Sequence, residues 1–134
     1  MKVLVDTAIW SLALRRKKPP GNEPRLSELE LLIEDGRVAM IGPIRQELLS
    51  GVKEQPVFDR LREHLRVFPD TDITSDDYEE AASFFNMCRA RGIQGSNTDF
   101  LICAVAARHG FPIYTTDDDF RHFAKVLPIA LHQP

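Results

Sequence analysis

The sequence predicts an α/β domain with a mainly parallel central sheet and helices on both faces. Short apolar segments typical of strands, at 3–5, 37–41 and 112–115, alternate with longer segments whose apolar residues recur at helical spacing. The first of them is uninterrupted, which is typical of a strand buried on both faces of a parallel sheet. No linker, repeat or low-complexity segment divides the 134 residues, so we expect one domain over 1–134.

The first half of the chain contains four segments with helical spacing of apolar residues, and glycine or proline stands near their ends. Thr7 is in position to cap the first of these helices. Pro43 suits the first turn of the third helix, where a missing N–H costs nothing. We expect helices over 8–16, 25–34, 42–50 and 56–65, a strand over 37–41 and a brief edge strand over 66–68.

The second half begins with the longest helical pattern, over 74–91, which Thr74 or Ser75 would cap. A second, strongly apolar helix follows, with Thr98 as its predicted cap and Gly110 as its end. After it we expect a strand over 112–115, a short helix opened by the sequence TTDDDF, and a last strand over 127–131. The residues predicted to face inward on the long helix are Tyr78, Ala81, Ala82, Phe85 and Cys88.

Composition narrows the class of protein. The chain is 43% hydrophobic and 28% charged, as in soluble globular proteins. No apolar run approaches the roughly 20 residues of a membrane span, and the N-terminus lacks a signal-peptide pattern. Cys88 and Cys103 lie in apolar helical patterns without metal-ligand spacing, which favours buried free thiols. We therefore expect a protein of the reducing cytoplasm with no membrane partner.

The distribution of charge bears on nucleic-acid binding. A net charge of −3 at pH 7 argues against general affinity for nucleic acid but leaves room for a local basic surface. One basic run, formed by Arg15, Arg16, Lys17 and Lys18, follows the first predicted helix. Such a run is commonly a solvated face, and the functional alternative is contact with the backbone of an RNA.

Four acidic residues stand where predicted strands end or helices begin. Asp6 directly follows the first strand, Glu47 lies early in the third helix, Asp99 follows Thr98, and Asp117 follows the strand at 112–115. Carboxyl ends of parallel strands share one edge of a sheet, so we expect these side chains to converge. Acids in first helical turns are common without any functional role, which is the ordinary alternative for Asp99.

Converging carboxylates need compensation. Helix N-termini supply about 0.3–1 kcal/mol each, too little to offset the repulsion of clustered acids. A divalent cation is the natural partner, and oxygen ligands alone favour Mg²⁺ or Mn²⁺. Such a site suits hydrolysis of phosphodiester bonds by metal-activated water. The sequence has no glycine-rich phosphate loop, no zinc-like pairing of histidines and no recognisable Ser/His/Asp or Cys/His set.

Four blocks of the sequence carry a family resemblance. They are VDTAIW near the start, RQELLSG in the middle, and NTDFLICAVAARHG and YTTDDDF near the end. Their order and spacing resemble the PIN domain, and the overall pattern resembles the VapC-type toxin ribonucleases of type II toxin–antitoxin systems. The resemblance spans nearly the whole chain and implies a single PIN-like domain.

The resemblance also implies roles for individual residues. Asp6, Glu47 and Asp99 correspond to the three core acids, Asp117 to a frequent fourth, and Asp119 to a recurrent acid of the last motif. By this analogy the protein is a Mg²⁺- or Mn²⁺-dependent endoribonuclease in which these acids bind metal. Whether Asp117 or Asp119 is the fourth ligand stays open. Thr7 and Thr115 are candidates to orient ligands, with capping and turn formation as their ordinary alternatives.

Partners follow from the same resemblance. Family members act on structured RNA such as tRNA or ribosomal RNA, form homodimers, and are inhibited by a cognate antitoxin. Apolar residues of the early helices, namely Trp10, Leu14 and Leu29, would then belong to partner surfaces, whereas an ordinary core position is the preferred interpretation of Leu29.

Two other classes of protein place acids at strand ends. A non-catalytic receiver-like signalling module normally has paired acids after the first strand and a lysine after a late one, whereas Asp6 stands alone and TTDDDF contains no lysine. A metal-dependent phosphatase of small molecules usually has a second acid two residues after its aspartate nucleophile, and that position is Ala8. Both remain alternatives to the nuclease.

Overall fold

The computed structural model describes residues 1–14 and 23–134. Its centre is a parallel sheet of three strands in the order β2-β1-β3. The strands are β1 at Val3–Val5, β2 at Val38–Ala39 and β3 at Ile113–Tyr114. The three residues of β1 are fully buried, as the uninterrupted apolar run predicts. The α/β class and the parallel sheet flanked by helices are confirmed.

Helices form most of the rest of the described chain. Prolines stand in the first turns of the second, third and fourth helices, where their missing N–H costs nothing. None of the helices formed by residues 1–14 and 23–134 is long and apolar enough to cross a membrane. Their bounds are α1 Thr7–Ala13, α2 Pro24–Glu34, α3 Gly42–Leu49, α4 Gln55–Leu65, α5 Ser75–Arg89, α6 Asn97–His109 and α7 Asp119–Ala124.

The sixth helix lies at the centre of the core. Seven consecutive residues of α6 are buried, from Phe100 to Ala106, because the helix is covered on several sides. Gly110 ends it with φ 69°, a left-handed conformation that glycine adopts without strain. Cys103 of α6 and Cys88 of α5 are buried free thiols, as predicted.

The predicted edge strand over 66–68 is wrong. These residues form a turn after α4, and the isolated bridge to the sheet is made later, between Asp70 and Met40. Arg45 of α3 satisfies the turn instead: its guanidinium donates to the carbonyl oxygens of Leu65 and Phe68 and to the carboxylate of Asp70. The carbonyl oxygens of this turn are thus hydrogen-bonded to a side chain, whereas those of a strand would be bonded to a neighbouring strand.

The predicted last strand over 127–131 is reduced to a single bridge. Leu131 pairs with Ile113 of β3, and the amide of Ile113 donates to the carbonyl oxygen of Ala130 at 2.9 Å. The amide of His132 donates back to the carbonyl oxygen of Ile113 at 2.8 Å. The end of the chain therefore covers β3 without extending the sheet.

The prediction of the buried face of α5 is wrong at Tyr78 and at Ala82, both of which are exposed. Tyr78, expected to face inward, is 57% exposed, whereas Asp77 is 2% exposed. Arg108 of α6 explains the burial of this charge, because its Nε and Nη2 atoms donate to the two carboxylate oxygens of Asp77 at 2.6 and 2.8 Å. The buried residues of α5 are Asp77, Ala81, Phe84 and Cys88; Ala82 is exposed and Phe85 is partly buried.

Candidate active site at the carboxyl end of the sheet

Asp6 is the central acid of the site. It follows β1, occupies the N-cap position of α1 and is only 6% exposed. Burial raises the pKa of its carboxyl, and the charge of Asp99 acts in the same direction. A hydrogen bond from Thr115 and the backbone amides of Thr7 and Ala8 lower the pKa in opposition, although the side chain makes no regular capping hydrogen bond.

Asp99 lies in the first turn of α6 and is locked to the residue before that helix. The amide of Ser96 donates to Asp99 Oδ2 at 3.1 Å, and the amide of Asp99 donates to Ser96 Oγ at 3.1 Å. This reciprocal capping box makes Ser96 the cap of α6, so the prediction that Thr98 caps this helix is wrong. Burial raises the pKa of the Asp99 carboxyl, and the charges of Asp117 and Asp119 raise it further.

A buried thiol lies close to both acids. Burial raises the pKa of Cys103, one turn after Asp99 on α6, and the negative charges of Asp99 and Asp6 contribute to the same shift. The two carboxylates therefore act on one buried atom from two elements, the end of β1 and the start of α6. This places Asp6 and Asp99 on the same side of the core, as the parallel topology predicts.

The β3–α7 connection brings further acids to Asp6 through one hydroxyl. Thr115 Oγ1 donates to Asp6 Oδ2 at 2.8 Å and accepts a hydrogen bond from the amide of Asp117 at 2.9 Å. The amide of Asp119 in turn donates to Asp117 Oδ1 at 2.9 Å. Asp117 is half-buried, whereas Asp119 and its neighbour Asp118 are exposed.

Thr7 differs from Thr115 in its contacts. Asp6, not Thr7, occupies the N-cap of α1, so the prediction of a Thr7 cap is wrong. The Oγ1 atom of Thr7 is buried and makes no hydrogen bond within the part of the chain described here. An orienting role for Thr7 stays a prediction. Thr115 is the threonine whose hydroxyl contacts an acid of the site.

Glu47 is exposed on α3 and lines a cleft between α1, α3 and α4. The other walls of this cleft, which we call the Glu47 cleft, carry Ser11 of α1 and both Arg60 and His64 of α4. Ser11 follows Thr7 by four residues on one face of α1, so the cleft opens about one helical turn from the start of that helix. The convergence of Glu47 with the aspartates therefore stays a prediction, since Glu47 lines this cleft and none of the aspartates does.

The donor set suits a hard divalent cation. The acids offer oxygen ligands alone, and the raised pKa values of Asp6 and Asp99 show that each is crowded by burial and by negative charge that a cation would offset. Within residues 1–14 and 23–134, no three His, Cys, Asp or Glu side chains are grouped so that they could hold a metal ion. Asp6 and Asp99, whose charges act on each other, remain predicted ligands.

The basic run of Arg15, Arg16, Lys17 and Lys18 falls outside the residues that the structure describes. Its contact with an RNA backbone stays a prediction. Within the site, the reciprocal hydrogen bonds of Ser96 and Asp99 were not predicted. The spacing Ser-x-x-Asp is a helix-start pattern that could have indicated them.

An apolar groove lies between α1, α2 and α4, apart from the acids. It has a volume of about 440 Å³ and is lined by Trp10, Leu14, Leu29, Ile33 and Val67, among others. Trp10 and Leu29 are 4% and 3% exposed and belong to the core, whereas Leu14 is 43% and Val67 73% exposed. Such exposed apolar residues around a groove are typical of a surface that binds another molecule.

Comparisons with known proteins agree with this fold. The family model described as PIN domain matches residues 3–126. A VapC ribonuclease of Mycobacterium bovis is 31% identical over an alignment of 127 residues, and the match covers 92% of this chain and 92% of that one. Two solved structures have the same fold. FitAcB of Neisseria gonorrhoeae has a TM-score of 0.78 and 21% identity, over 98% of this chain and 97% of that one.

The second solved structure is described as a toxin–antitoxin complex from Klebsiella pneumoniae. It has a TM-score of 0.66 and 20% identity, over 97% of this chain and all of that one. The match to the family model covers the sheet and every acid of the candidate site. This chain therefore belongs to the PIN-domain family, within which it falls with the VapC-type toxins.

Proposed function

We propose that this protein is the toxin of a toxin–antitoxin pair and acts as an endoribonuclease in the cytoplasm. The observation that carries the proposal is the juxtaposition of Asp6 and Asp99, two carboxylates with raised pKa values at the carboxyl end of a parallel sheet. The name of the Mycobacterium bovis relative, a VapC ribonuclease, supports RNA as the substrate. The proposed targets are tRNA or ribosomal RNA.

The residues have distinct roles in the proposed reaction. Asp6 and Asp99 would hold Mg²⁺ or Mn²⁺, with Glu47, Asp117 and Asp119 as further candidate ligands. The bound ion would supply an activated water and stabilise charge on the phosphate. Thr115 fixes one oxygen of Asp6 by donating to it, and Ser96 fixes one oxygen of Asp99 through its amide. These hydrogen bonds would hold the two carboxylates in fixed orientations toward a bound ion.

Cleavage of a mixed pool of total RNA and tRNA tests the proposal. We expect wild-type protein to cut RNA with Mg²⁺ or Mn²⁺ and EDTA to abolish cutting by removing the ion. Asp6→Asn should also abolish cutting, because it removes the charge of the metal ligand while it keeps the shape of the side chain. Asp118→Asn is the matched control, since Asp118 is exposed and paired with Arg121 at 3.6 Å. A folded, metal-binding protein that cuts no RNA would refute the proposal and favour the receiver-like module or the small-molecule phosphatase.

The proposed antitoxin would occupy the apolar groove. The groove exposes Ile33 and Val67, at 39% and 73%, and a partner covering them would remove this apolar surface from water. Ile33→Glu should prevent co-purification with the cognate antitoxin when both are co-expressed. Leu31→Glu is the control, because Leu31 is exposed on the same helix without lining the groove. Equal retention of antitoxin by both variants would place the partner elsewhere.

The resemblance to VapC-type toxins also supports a homodimer. Sedimentation equilibrium of the antitoxin-free protein should give twice the chain mass of 15.2 kDa. A mass of one chain at micromolar concentration would contradict the dimer and leave the nuclease proposal untouched.

A further inference from the structure

The Glu47 cleft is large enough to take part of an extended ligand. Its volume is about 520 Å³, within the size range of small-ligand sites. It lies between α1, α3 and α4, with Glu47 on one wall and Arg60 and His64 on another. Unlike the apolar groove, it therefore carries charged side chains of both signs.

Arg60 is the arginine that lines this cleft, and no acidic side chain of the described residues neutralises its charge. The other two arginines of this region are ion-paired: Arg62 lies 3.5 Å from Asp59 and 3.9 Å from Glu63, and Arg66 lies 2.8 Å from Glu63. Arg60 is exposed and has no carboxylate within 4.0 Å in the part of the chain that the structure describes. Its guanidinium is thus free to bind an anion.

The position of the cleft favours a phosphate as that anion. The cleft and the acids share helix α1. Asp6 stands at the start of this helix, and Ser11, five residues later, lies in the wall of the cleft. A nucleic-acid strand bound at Asp6 and Asp99 carries a phosphate at every nucleotide, so its continuation through this cleft brings one to α4. Glu47 repels that phosphate from its own wall, whereas Arg60 can bind it through two parallel N–H donors.

We propose that the Glu47 cleft binds the RNA strand beside the scissile bond, with Arg60 holding a backbone phosphate. This inference rests on the proposed ribonuclease function and names the path of its substrate. His64 is four residues after Arg60 on the same face of α4 and lines the same cleft, so it offers a second donor to the strand.

RNA binding by cleavage-deficient protein tests the inference. The probe is a fluorescently labelled single-stranded RNA 20-mer of mixed sequence, bound by Asp6→Asn protein in Mg²⁺ over a series of salt concentrations. We expect Arg60→Ala in this background to weaken binding by about two- to fivefold, as for one exposed charge pair. The slope of log affinity against log salt should become shallower by about 0.7, because one phosphate fewer is neutralised on a single strand.

Arg66→Ala is the matched control. It removes the same charge from the end of the same helix, but Arg66 pairs with Glu63 and does not line the cleft, so the salt slope should not change. Arg60→Lys should restore the slope because it restores the charge. Circular dichroism of each variant checks that α4 remains folded.

Other results would overturn the inference. Equal salt slopes for Arg60→Ala and Arg66→Ala would remove Arg60 from the RNA path while leaving the ribonuclease proposal intact. Failure of the Asp6→Asn background to bind the probe or a tRNA pool in Mg²⁺ would overturn this inference, whereas the ribonuclease proposal is overturned only by a folded, metal-binding wild type that cuts no RNA. Unchanged RNA binding together with loss of co-purifying antitoxin in Arg60→Ala would identify the cleft as a protein-binding site instead.

Discussion

Thr115 donates a hydrogen bond from its Oγ1 to Asp6 Oδ2 at 2.8 Å, joining two residues that are 109 positions apart in the chain. The same oxygen accepts from the amide of Asp117 at 2.9 Å, so one hydroxyl connects the end of β1 to the β3–α7 loop. Asp6 is buried and has a raised pKa, so its carboxylate is oriented by a few protein groups rather than by water. Thr115 is the side chain that supplies such a partner.

Removing this hydroxyl should impair cleavage without unfolding the protein. Thr115→Val keeps the shape of the side chain but removes the hydrogen bonds to Asp6 and Asp117. We expect cleavage to fall by about 10- to 100-fold, as for other groups that orient metal ligands. Isothermal titration of Mn²⁺ should show weaker metal binding in the same variant. Thr115→Ser retains the hydroxyl and should keep most activity; equal losses in Val and Ser variants would indicate a packing role.

The three aspartates that follow Thr116 should differ in importance. Asp117 is half-buried and contacts Thr115, and its charge acts on Asp99, as does that of Asp119; Asp118 pairs with Arg121 in solvent. We expect Asp117→Asn to reduce cleavage strongly, Asp119→Asn moderately, and Asp118→Asn by less than twofold. Single-turnover rates at saturating Mn²⁺ provide the measurement. A larger loss in Asp119→Asn than in Asp117→Asn would make Asp119 the fourth ligand.

Glu47 should affect cleavage through a charge that the aspartates do not replace. It lines the Glu47 cleft rather than the β3–α7 loop, so Glu47→Gln removes the carboxylate from that side alone. We expect a loss of at least tenfold in cleavage rate, with unchanged thermal stability because the side chain is exposed. Glu63→Gln on α4 is the control. Full activity of Glu47→Gln would exclude Glu47 from metal binding.

The ion pair between Asp77 and Arg108 should make stability depend on acid pH. The Arg108 guanidinium holds the pKa of the Asp77 carboxyl below its ordinary value of 3.8. Since the folded pKa is lower than the unfolded one, the contribution is complete above about pH 4 and is lost as pH falls through the folded value. Arg108→Gln should lower the melting temperature by roughly 5 °C at pH 7.

The melting temperatures of wild type and Arg108→Gln should converge as the pH falls below 4. Asp118→Asn, which alters an exposed pair, should follow the wild-type curve. A difference between wild type and Arg108→Gln that stays constant down to pH 2 would mean that Arg108 acts by packing rather than by its charge.

Both thiols should be unreactive in the native protein. Burial raises the pKa of Cys88 and Cys103, and nearby carboxylates add to the shift at Cys103. Because the thiolate is the reactive form, Ellman's reagent at pH 8 should label neither thiol until denaturant is added, when two thiols per chain should react. Rapid labelling of one thiol in native protein would show that its part of the core opens readily.

Three of the predicted site acids could be grouped from the sequence because the rules that place them are local. The apolar run before Asp6 predicts a buried strand that ends at this residue. Parallel strands bring their carboxyl ends to one edge of the sheet, so Asp6, Asp99 and Asp117 could be grouped from the sequence. Glu47 was grouped with them by its place early in the third helix and by the family resemblance, but it lines a separate cleft, and its convergence with the aspartates stays a prediction. The spacing Ser-x-x-Asp indicates Ser96 as the cap of α6, although we predicted Thr98 as this cap.

By itself, the sequence determined the order of the elements, the parallel α/β class and the end of the sheet where the acids stand, because strand runs, helical spacing and glycine or proline ends act over a few residues. Tertiary structure alone decided which threonine binds Asp6 and that Asp77 rather than Tyr78 is buried. It also decided that residues 66–68 form a turn hydrogen-bonded by Arg45 and not a strand. Each of these depends on a partner at least 20 residues away, whose position no local pattern contains.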